Sequence, residues 1–549
     1  MPDDTSAPTP AHPTSDLLRA PVAESLPGLV PGVGTDGRPR PDAPLVAVTG
    51  VTGYVGGRLV PELLSAGYRV RAIARHPGRL RGQAWYDDVE VVRGDASEPD
   101  EIRAALDGAD IAYYLIHSLG SGSTFEARDR HTALVFGQAA REAGVGRIVY
   151  LGGLFPEGEE LSPHLASRKE VGEILMASGV PTTVLRAAVI LGSGSASFEM
   201  MRYLTERLPV MTTPSWVTNR VQPIAIRDVL RYLVGSASMP SDVSRTFDIG
   251  GPEVLTYRDM MQRYAAVAGL PRRVILPVNV FSPGLSSHWV GVVTPVPNRI
   301  ARPLVESLVH EVVVTERDIA RYVPDPPEGL VGFERAVELA LKRIGDADVV
   351  TRWASAATPG APSDPLPSDP DWAGGSLFVD ERSSAVRASK ATLWAVIESI
   401  GGENGWYSWA LAWRVRGWLD RFSGGPGLRR GRRDRFDLQI GDTVDWWRVE
   451  DVAQERLLRL RAEMRLPGLA WLDLAVDEDD DGRTVFRQKA YFHPRGLAGQ
   501  LYWWSVTPFH GVVFGGMQRN IARAAERYEA HPERAAAIRA PGGPRSARR

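Results

Sequence analysis

The chain has 549 residues, a length that predicts two to four domains. Its charge is nearly balanced, with 64 Lys and Arg against 66 Asp and Glu. This argues against a dedicated nucleic-acid-binding protein, because such proteins usually carry a basic excess. There is no cysteine, so disulfides, thiolate metal sites and cysteine nucleophiles are excluded. The ten His residues show no paired ligand spacing such as HExxH, and we expect no metal site.

Composition divides the chain into five segments. Residues 1–43 are rich in Pro, Ser, Thr and Asp, which predicts disorder, and their acidic start is unlike a secretory signal. From 44 to 345, strand-like runs alternate with helical spacing, which predicts an α/β fold with a doubly wound parallel sheet and a small cap lobe. Residues 346–371 predict a linker, 372–533 a second domain and 534–549 a disordered tail. We expect a cytoplasmic protein.

A glycine motif follows the first predicted strand, at 46–49. The sequence VAVTGVTGYVGGRLV places three glycines between this strand and a predicted helix. A dinucleotide pyrophosphate needs such a turn, because the backbone must approach it closely and offer N–H groups at a helix N-terminus. The strand–turn–helix context gives weight to a motif that is weak by itself. We predict a dinucleotide site formed by Thr49, Gly50, Thr52, Gly53, Tyr54, Val55 and Gly56.

The end of the second predicted strand, at 68–74, distinguishes NADP from NAD. An NAD-specific site places Asp or Glu there to bind the ribose 2′-hydroxyl. This sequence has Arg75 instead, followed by His76 and Arg79. Because a cation pairs with a 2′-phosphate, we predict NADP as the cofactor in preference to NAD. An incidental surface arginine is the alternative.

Several segments resemble short-chain dehydrogenase/reductases, above all the atypical group with an extended-type glycine motif. These segments are TGVTGYVGG, RGDASEPD, QPIAIRDVLRYLV and FDIGGPEVLTYRDM, and the resemblance covers roughly 45–345. It implies a Rossmann fold in which Asp95, followed by Ala96, contacts the adenine. It also implies that His117 and Ser118, at the end of the fourth strand, lie near the nicotinamide.

The usual active site of that family is absent. Its reductases use a Tyr and a Lys four residues later, and none of the four Lys residues here has a Tyr at that spacing. His164 and Arg168 stand at the expected place, and Gly152 and Gly153 stand where a catalytic Ser is expected. His164 could act as a general acid, with Arg168 orienting the cofactor ribose or a substrate oxygen. The alternative is a solvated His164 and a surface Arg168 in a domain that binds nucleotide without turnover.

The second domain resembles the helix-grip fold of the START/Bet v1-like superfamily in the order of its predicted elements. A strand within 377–389 and a short helix precede a run of strands and a final helix near 508–528. The resemblance implies an apolar cavity for a hydrophobic or lipid-like ligand. Seven tryptophans could line this cavity or fill the core: Trp406, Trp409, Trp413, Trp446, Trp471, Trp503 and Trp504. Together the two halves resemble a bacterial family in which an atypical reductase domain carries a C-terminal domain of unknown function.

Three further segments could suggest a membrane or a metal. Residues 496–518 contain no Asp, Glu, Lys or Arg, which favours a buried final helix over a membrane span and leaves a peripheral bilayer contact open. The segment DEDDDG at 477–482 has calcium-loop spacing, but Gln488 replaces the bidentate Glu, which favours a hairpin turn. The arginine-rich stretch 428–436 predicts a solvated loop, with an anionic-lipid contact as the alternative.

Three functions remain open. The first is a divergent NADP(H)-dependent oxidoreductase acting on an apolar carbonyl, quinone or lipid-like substrate, with His117, His164 and Arg168 in its active site. The second is a non-catalytic, nucleotide-responsive sensor or a carrier of hydrophobic ligands, which the missing Tyr and Lys favour. The third is an accessory subunit of a membrane redox complex. The sequence does not define the oligomeric state.

Overall fold

The computed structural model describes residues 21–35, 37–117, 125–278, 293–345, 376–401, 405–407, 438–464, 466–479 and 481–531. Several predictions fall outside these residues, namely those for the linker, the tail, the loop 428–436, Ser118, Trp409 and Trp413. The chain divides into two compact units, Met1–Gly375 and Ser376–Arg549.

A seven-stranded parallel sheet forms the centre of the first unit. The strands of this unit are β1 Leu45–Thr49, β2 Arg69–Ala74, β3 Glu90–Arg93, β4 Ile111–Tyr114, β5 Arg147–Gly153, β6 Thr182–Ala187, β7 Ile190–Leu191, β8 Val210–Pro214, β9 Arg220–Val221, β10 Ile224–Ala225, β11 Arg245–Ile249, β12 Leu255–Thr256 and β13 Val274–Val278. The large sheet has the order β3-β2-β1-β4-β5-β6-β11, and every neighbouring pair is parallel. This order confirms the predicted doubly wound fold.

Helices cover both faces of this sheet, as a parallel sheet requires. Among the described residues, the helices of the unit are α1 Tyr54–Ser65, α2 Pro99–Leu106, α3 Phe125–Glu142, α4 Pro163–Met176, α5 Ala196–Arg207, α6 Ile226–Ser236, α7 Tyr257–Val267, α8 Asn298–Ser307 and α9 Phe333–Gly345. Helices α1 and α6 pack on one face, and α2, α3 and α4 pack on the other. From β1 the sheet continues to β2 and β3 on one side and to β4, β5 and β6 on the other, so the strand order reverses at β1. Ligands of such folds bind outside the carboxyl ends of the strands at this point.

The cap lobe contains α5, α7, α8 and α9 together with three two-stranded sheets. These sheets pair β7 with β10, β9 with β12, and β8 with β13. The lobe has its own apolar core, in which Phe198, Tyr264 and Val305 are buried. A separate core allows the lobe to present a second wall to the carboxyl ends of the sheet.

Disorder was expected over 1–43, of which residues 1–20 and 36 lie outside the described residues, and part of the remainder is ordered. Residues Val22–Ser25 form a 3-10 turn, and Val22 and Leu26 are buried in the core beside α1 and α6. The backbone N–H of Val22 also donates to the Glu62 carboxylate at 2.8 Å. Two apolar side chains and one hydrogen bond hold this stretch, although its average composition is that of a disordered segment.

A six-stranded antiparallel sheet and a long helix form the second unit. Its elements are β14 Phe378–Ala385, α10 Lys390–Glu398, β15 Thr443–Val444, β16 Trp447–Ala453, β17 Leu457–Ala462, β18 Gly468–Glu478, β19 Thr484–Pro494 and α11 Gly496–Ala530. The strand order is β14-β19-β18-β17-β16-β15. The observed order of strand, helix, strands and final helix agrees with the predicted one, and the finer likeness to the helix-grip fold stays a prediction.

The final helix begins at Gly496, twelve residues before its predicted start. The stretch between these two points contains glycines and is followed by Pro508. Glycine and proline both disfavour the interior of a helix. Packing of Trp503, Phe514 and Met517 in the core of the unit overrides these weak local preferences. Within the described residues, no helix combines the length and apolarity that crossing a bilayer requires.

The tryptophans of the second unit divide between core and surface. Trp406, Trp446, Trp471 and Trp503 are buried, and the rings of Trp406 and Trp446 stack with centroids 5.5 Å apart. Trp504 is 66% exposed, so its predicted place in a core or cavity is wrong.

Strands β18 and β19 pair in an antiparallel manner, and between them the Gly482 N–H donates to the Asp479 carbonyl at 2.9 Å, as expected of a hairpin turn. In the described residues, no three His, Asp or Glu side chains converge on a possible metal position.

Candidate functional site

The predicted glycine loop lies at the switch point of the parallel sheet, between β1 and α1. Gly50 has φ +72°, and a Cβ there would lie 2.4 Å from the carbonyl oxygen of Leu115. A Cβ on Gly56 would lie 2.3 Å from the carbonyl oxygen of Gly50. Neither position therefore accepts a side chain without movement of the backbone. Gly53 is the N-cap of α1, so the N-terminus of this helix, which favours an anion through its backbone N–H groups and dipole, lies at the loop.

Thr49 supports the glycine loop through its side chain. Its side chain is buried, and its hydroxyl donates to the Tyr113 carbonyl at 2.8 Å. The Leu115 N–H in turn donates to the same hydroxyl at 3.3 Å. The side chain of Thr49 therefore joins β1 to the end of β4 and supports the loop, and a direct side-chain contact with the cofactor is not expected.

A cavity of about 520 Å³ adjoins the glycine loop. One part of its lining is formed by Gly50 and the stretch 52–56. The lining also includes the apolar or aromatic side chains of Leu154, Val189, Tyr257, Ile300, Leu304 and Val312. His117, His164 and Arg168 also line the cavity. The predicted cofactor and catalytic residues therefore share one space with an apolar surface.

His117 and His164 form a pair in this cavity. His117 follows β4, His164 lies in the first turn of α4, and their Nε2 atoms are 3.2 Å apart. His117 Nδ1 lies 3.3 Å from Oδ2 of Asp129, and His164 Nδ1 lies 2.9 Å from Oγ of Ser307. Because a carboxylate can only accept, His117 donates to Asp129 from Nδ1 and uses Nε2 as the acceptor from His164. His164 is buried, so its interpretation as a solvated residue is wrong.

The surroundings keep both imidazoles neutral near pH 7. Burial, followed by the charge of Arg168, lowers the pKa of His117 to about 4, although Asp129 opposes the shift. Burial, the neighbouring His117 and the charge of Arg168 lower the pKa of His164 well below its ordinary value. Removal of water and a nearby cation both disfavour the imidazolium form.

Arg168 is buried and paired, so its interpretation as a helix-surface residue is also wrong. It is 6% exposed, and its Nη2 donates to Asp129 at 2.7 Å. Its backbone carbonyl accepts from the Tyr150 hydroxyl at 3.2 Å. Nε of Arg168 has no acceptor among the described residues, so this buried donor is available to an oxygen of a bound cofactor or substrate.

Tyr150 does not replace the missing catalytic tyrosine. Its side chain is fully buried, and burial raises its pKa to about 12. Its hydroxyl donates to the backbone of α4 and is not part of the described lining of the cavity. Tyr150 therefore positions Arg168 and keeps its own proton.

The remaining predicted contacts lie at the ends of β2 and β3, outside the described lining of the cavity. Arg75 follows β2 directly and is exposed, whereas Ala96 is buried. Asp95 accepts from the Ser97 N–H at 3.0 Å and from the Ser97 hydroxyl at 2.8 Å. Burial alone would raise the pKa of Asp95, but these hydrogen bonds and the charges of Arg75 and Arg128 lower it. Asp95 is therefore ionised and lies within electrostatic reach of Arg75.

Asp129 and Ser307 are the site residues that the sequence does not predict. Asp129 lies on α3 and is fully buried, and Ser307 ends α8 in the cap lobe. One signal was available for Asp129, because it lies one and two turns before Ala133 and Phe136 on the buried face of α3. A carboxylate on such a face requires a buried partner. Ser307 has no such signal, because only the tertiary fold brings it to His164.

A Rossmann sheet, a glycine loop at its switch point and an adjoining cavity define a dinucleotide-binding domain. Residues 50–204 match a family model described as NAD(P)H-binding. Residues 372–517 match a second model, described as a protein of unknown function (DUF2867). The first unit is thus an NAD(P)H-binding domain, and the second matches a family without an assigned role.

Among characterised proteins, the chain is similar to a ceramide reductase of Caulobacter vibrioides. The two are 30% identical over 251 residues, which cover 42% of this chain and 74% of the reductase. It is also 29% identical to the (4-alkanoyl-5-oxo-2,5-dihydrofuran-3-yl)methyl phosphate reductase of Streptomyces griseus, over 42% of this chain and 76% of that enzyme. The chain therefore belongs to a family of NAD(P)H-binding, reductase-like proteins that are related to the short-chain dehydrogenase/reductases.

A solved structure with a similar chain path is the triphenylmethane reductase of Citrobacter sp. complexed with NADP(H). It is 20% identical to this chain, with a TM-score of 0.43. The match covers 53% of this chain and 98% of that protein.

Proposed function

We propose that this protein is an NADP(H)-dependent oxidoreductase that reduces a carbonyl or quinone group of an apolar substrate. One observation carries the proposal. His164 and Arg168, at the positions of the usual Tyr and Lys, are buried side by side and line the cavity that adjoins the glycine loop. Buried groups with displaced pKa values in such a cavity are typical of active sites.

The position of Arg75 supports NADP over NAD. Arg75 follows β2, where an NAD-specific protein carries a carboxylate for the ribose hydroxyl. Its guanidinium is exposed, and its charge acts on Asp95 at the end of the neighbouring strand. We infer that Arg75 binds the 2′-phosphate and that Asp95 contacts the adenine.

The lining of the cavity supports an apolar substrate. The cap lobe contributes Ile300, Leu304, Leu308 and Tyr257 to it. These side chains offer contact area to an alkyl chain or a ring and little to a sugar or a charged group. The relatives named as reductases of ceramide and of an alkanoyl-furanyl compound are consistent with this class of substrate.

The side chains around the substrate oxygen have different roles. Bound NADPH supplies a hydride to the carbon. Neutral His164 passes its Nε2 proton to the oxygen when that oxygen replaces His117 as its partner, and Nδ1 takes up the Ser307 hydroxyl proton in the same step, so the ring stays neutral. Solvent returns a proton to Ser307 after the reaction. The Ser307 hydroxyl, 2.9 Å from Nδ1, donates to the other side of the same ring. Asp129 holds both His117 and Arg168, so it is a positioning residue.

Turnover by a His164 variant tests this assignment. Wild type should oxidise NADPH in the presence of at least one member of a panel of apolar aldehydes, ketones and quinones. His164→Ala should slow this reaction about 100- to 10,000-fold, the usual contribution of a general acid, and leave NADPH affinity unchanged. His131→Ala is the matched control, since this exposed histidine on α3 lies outside the described lining. Turnover of His164→Ala at the wild-type rate would remove the role.

A nucleotide-responsive binding protein is the second candidate. The contacts of His164 favour it, because both ring nitrogens already have partners in Ser307 and His117. A donor that is fully engaged protonates a substrate only after one of these contacts opens. Tight NADPH binding without oxidation by any member of the panel would support this candidate over the reductase.

A further inference from the structure

Helix α11 presents two different faces. One face packs in the core of the second unit through Trp503, Phe514, Met517 and Ile521. The ring of Trp503 also stacks between Phe378 and Phe492, with centroid distances of 4.8 and 5.8 Å. The helix is therefore fixed by its buried face, and the opposite face has a defined orientation.

The opposite face is apolar in its first half. The exposed large apolar side chains there are Leu497, Leu501, Trp504, Phe509 and Val512, between 41% and 66% exposed. Successive members are three to five residues apart, so they form one stripe along the helix. From Leu497 to Val512 the stripe is about 22 Å long at 1.5 Å per residue. An exposed apolar stripe of this length is typical of an interaction surface.

The same face becomes basic in its second half. No Asp, Glu, Lys or Arg occurs from 496 to 518, and Arg495 precedes this stretch. Arg519, Arg523 and Arg527 then follow at intervals of four residues, and all three are exposed. Seven residues separate Arg519 from Val512, so the arginines continue the apolar stripe on the same side of the helix.

The acidic residues of this half are used elsewhere. Glu526 accepts from the Arg387 N–H at 3.2 Å, and Glu529 accepts from the Ser389 hydroxyl at 3.0 Å. Both contacts lie just before and at the N-cap of α10. Glu526 lines one pocket with Arg523 and Arg527, and between 519 and 530 the three arginines outnumber the two glutamates. The exposed face therefore combines an uncharged apolar stripe with a net positive end.

We propose that this face of α11 docks on an anionic phospholipid surface. An interfacial helix lies in the plane of the membrane, with apolar side chains below the headgroups and cations at the phosphates. Leu501, Trp504 and Phe509 would enter the lipid, while Arg519 and Arg523 would bind phosphate oxygens. A second copy of the chain fits less well, because its arginines would add like charge to the contact.

Vesicle flotation of the full chain tests the proposal. Wild type should float with phosphatidylcholine vesicles that contain phosphatidylglycerol and should bind those of phosphatidylcholine alone more weakly. The variant L501Q/W504Q/F509Q should lower binding at least about tenfold, because it removes the apolar contact. The variant R519Q/R523Q should lower binding to anionic vesicles and reduce its dependence on salt.

A matched control distinguishes membrane binding through this stripe from nonspecific binding through other exposed apolar side chains. V210Q/L276Q removes two side chains of the first unit that are 57% and 50% exposed, and it should float as wild type does. Circular dichroism and NADPH affinity should be unchanged in all variants, since every substituted residue is exposed. Failure of wild type to float, or equal flotation of L501Q/W504Q/F509Q, would overturn the proposal. A dimer that this triple variant dissociates, without flotation of wild type, would also overturn it.

Discussion

Two parts of the cavity lining in the first unit are built in different ways: the glycine loop, called here the nucleotide end or glycine end, and the cluster around His117 and His164, called here the histidine end. The nucleotide end is formed by backbone, and Gly50 and Gly56 are needed because their neighbours leave no room for a Cβ. The histidine end is formed by side chains that converge from β4, α3, α4 and α8. The glycine turn depends on the absence of a Cβ at Gly50 and Gly56. The histidine cluster depends on hydrogen bonds to side chains from other elements. The first can be recognised from a short motif, and the second only from the folded chain.

The difference also predicts how each end responds to substitution. At the glycine end, an added methyl group should weaken nucleotide binding with a modest effect on the rest of the fold. At the histidine end, removal of one partner leaves another charged or polar group buried without compensation. The predictions below test this contrast.

The largest effect is expected for Asp129→Ala. This change leaves the buried Arg168 without its carboxylate and His117 without its acceptor. Breaking a buried pair typically costs about 3–5 kcal/mol, so urea should unfold the first unit at a clearly lower concentration. Asp100→Ala is the control, since it removes an exposed carboxylate paired with Arg103 on α2. Equal losses of stability in the two variants would show that the buried carboxylate contributes no more to the free energy of unfolding than the exposed one.

Arg75→Ala should act on affinity for one cofactor alone. The loss of a charge-assisted hydrogen bond to a 2′-phosphate costs about 1.5–3 kcal/mol, or about a tenfold to hundredfold increase in the Kd for NADPH. The Kd for NADH should not change, because NADH lacks this phosphate. Arg69→Ala, at the opposite end of β2, should leave both affinities as they are. Calorimetric titration measures all four values, and equal wild-type affinities for NADPH and NADH would contradict the assignment.

Gly56→Ala should weaken both nucleotides together. Its Cβ would lie 2.3 Å from the Gly50 carbonyl oxygen and displace the loop. Overpacking of this kind costs about 1–3 kcal/mol, which corresponds to about a fivefold to 150-fold loss of affinity. Gly82→Ala is the control, because a Cβ there meets nothing within 4 Å. Unchanged NADPH binding in Gly56→Ala would place the pyrophosphate elsewhere.

The smallest effect concerns pH. The pKa of His117 is about 4 in the folded protein and ordinarily 6.5, so the unfolded chain takes up this proton first as pH falls. Stability from this group is present above pH 6.5 and is lost toward pH 4. Between pH 7 and 5.5 the loss should be about 1 kcal/mol greater in wild type than in His117→Gln.

The comparison between wild type and His117→Gln is needed because other groups act in the opposite direction. Burial raises the pKa values of Glu62 and Asp228 to about 7. These groups favour the folded state at low pH, and their contribution cancels in the difference. Identical pH dependence in wild type and His117→Gln would show that His117 is not buried in its neutral form.

The sequence is sufficient for the part of the site that depends on local geometry. The turn at Gly50 and the helix that begins just after Gly53 are confirmed, as is the position of Arg75 after β2. The spacing of His164 and Arg168 places both in the first turns of α4, where the family resemblance implies the active site. These features lie within short stretches of chain, so a local pattern is enough to predict them.

The sequence is insufficient where distant segments meet. Ser307 is 143 residues from His164, and no periodicity connects α8 with α4. The start of α11 was predicted too late for the same reason, since its first turns depend on the sheet and oppose the local preference near Pro508. The burial of Val22 likewise depends on a partner, Glu62, forty residues away.

The ordered stretch before β1 has a practical consequence for any shortened form of this protein. A chain cut to begin at residue 44 would expose the surface that Val22 and Leu26 cover and would remove the N–H that donates to Glu62. Loss of two buried apolar side chains removes about 3–6 kcal/mol, a large part of the stability of an ordinary domain. A domain boundary drawn at the first strand would therefore yield material prone to aggregation and proteolysis, whereas one drawn before residue 21 would retain Val22, Leu26 and the hydrogen bond to Glu62.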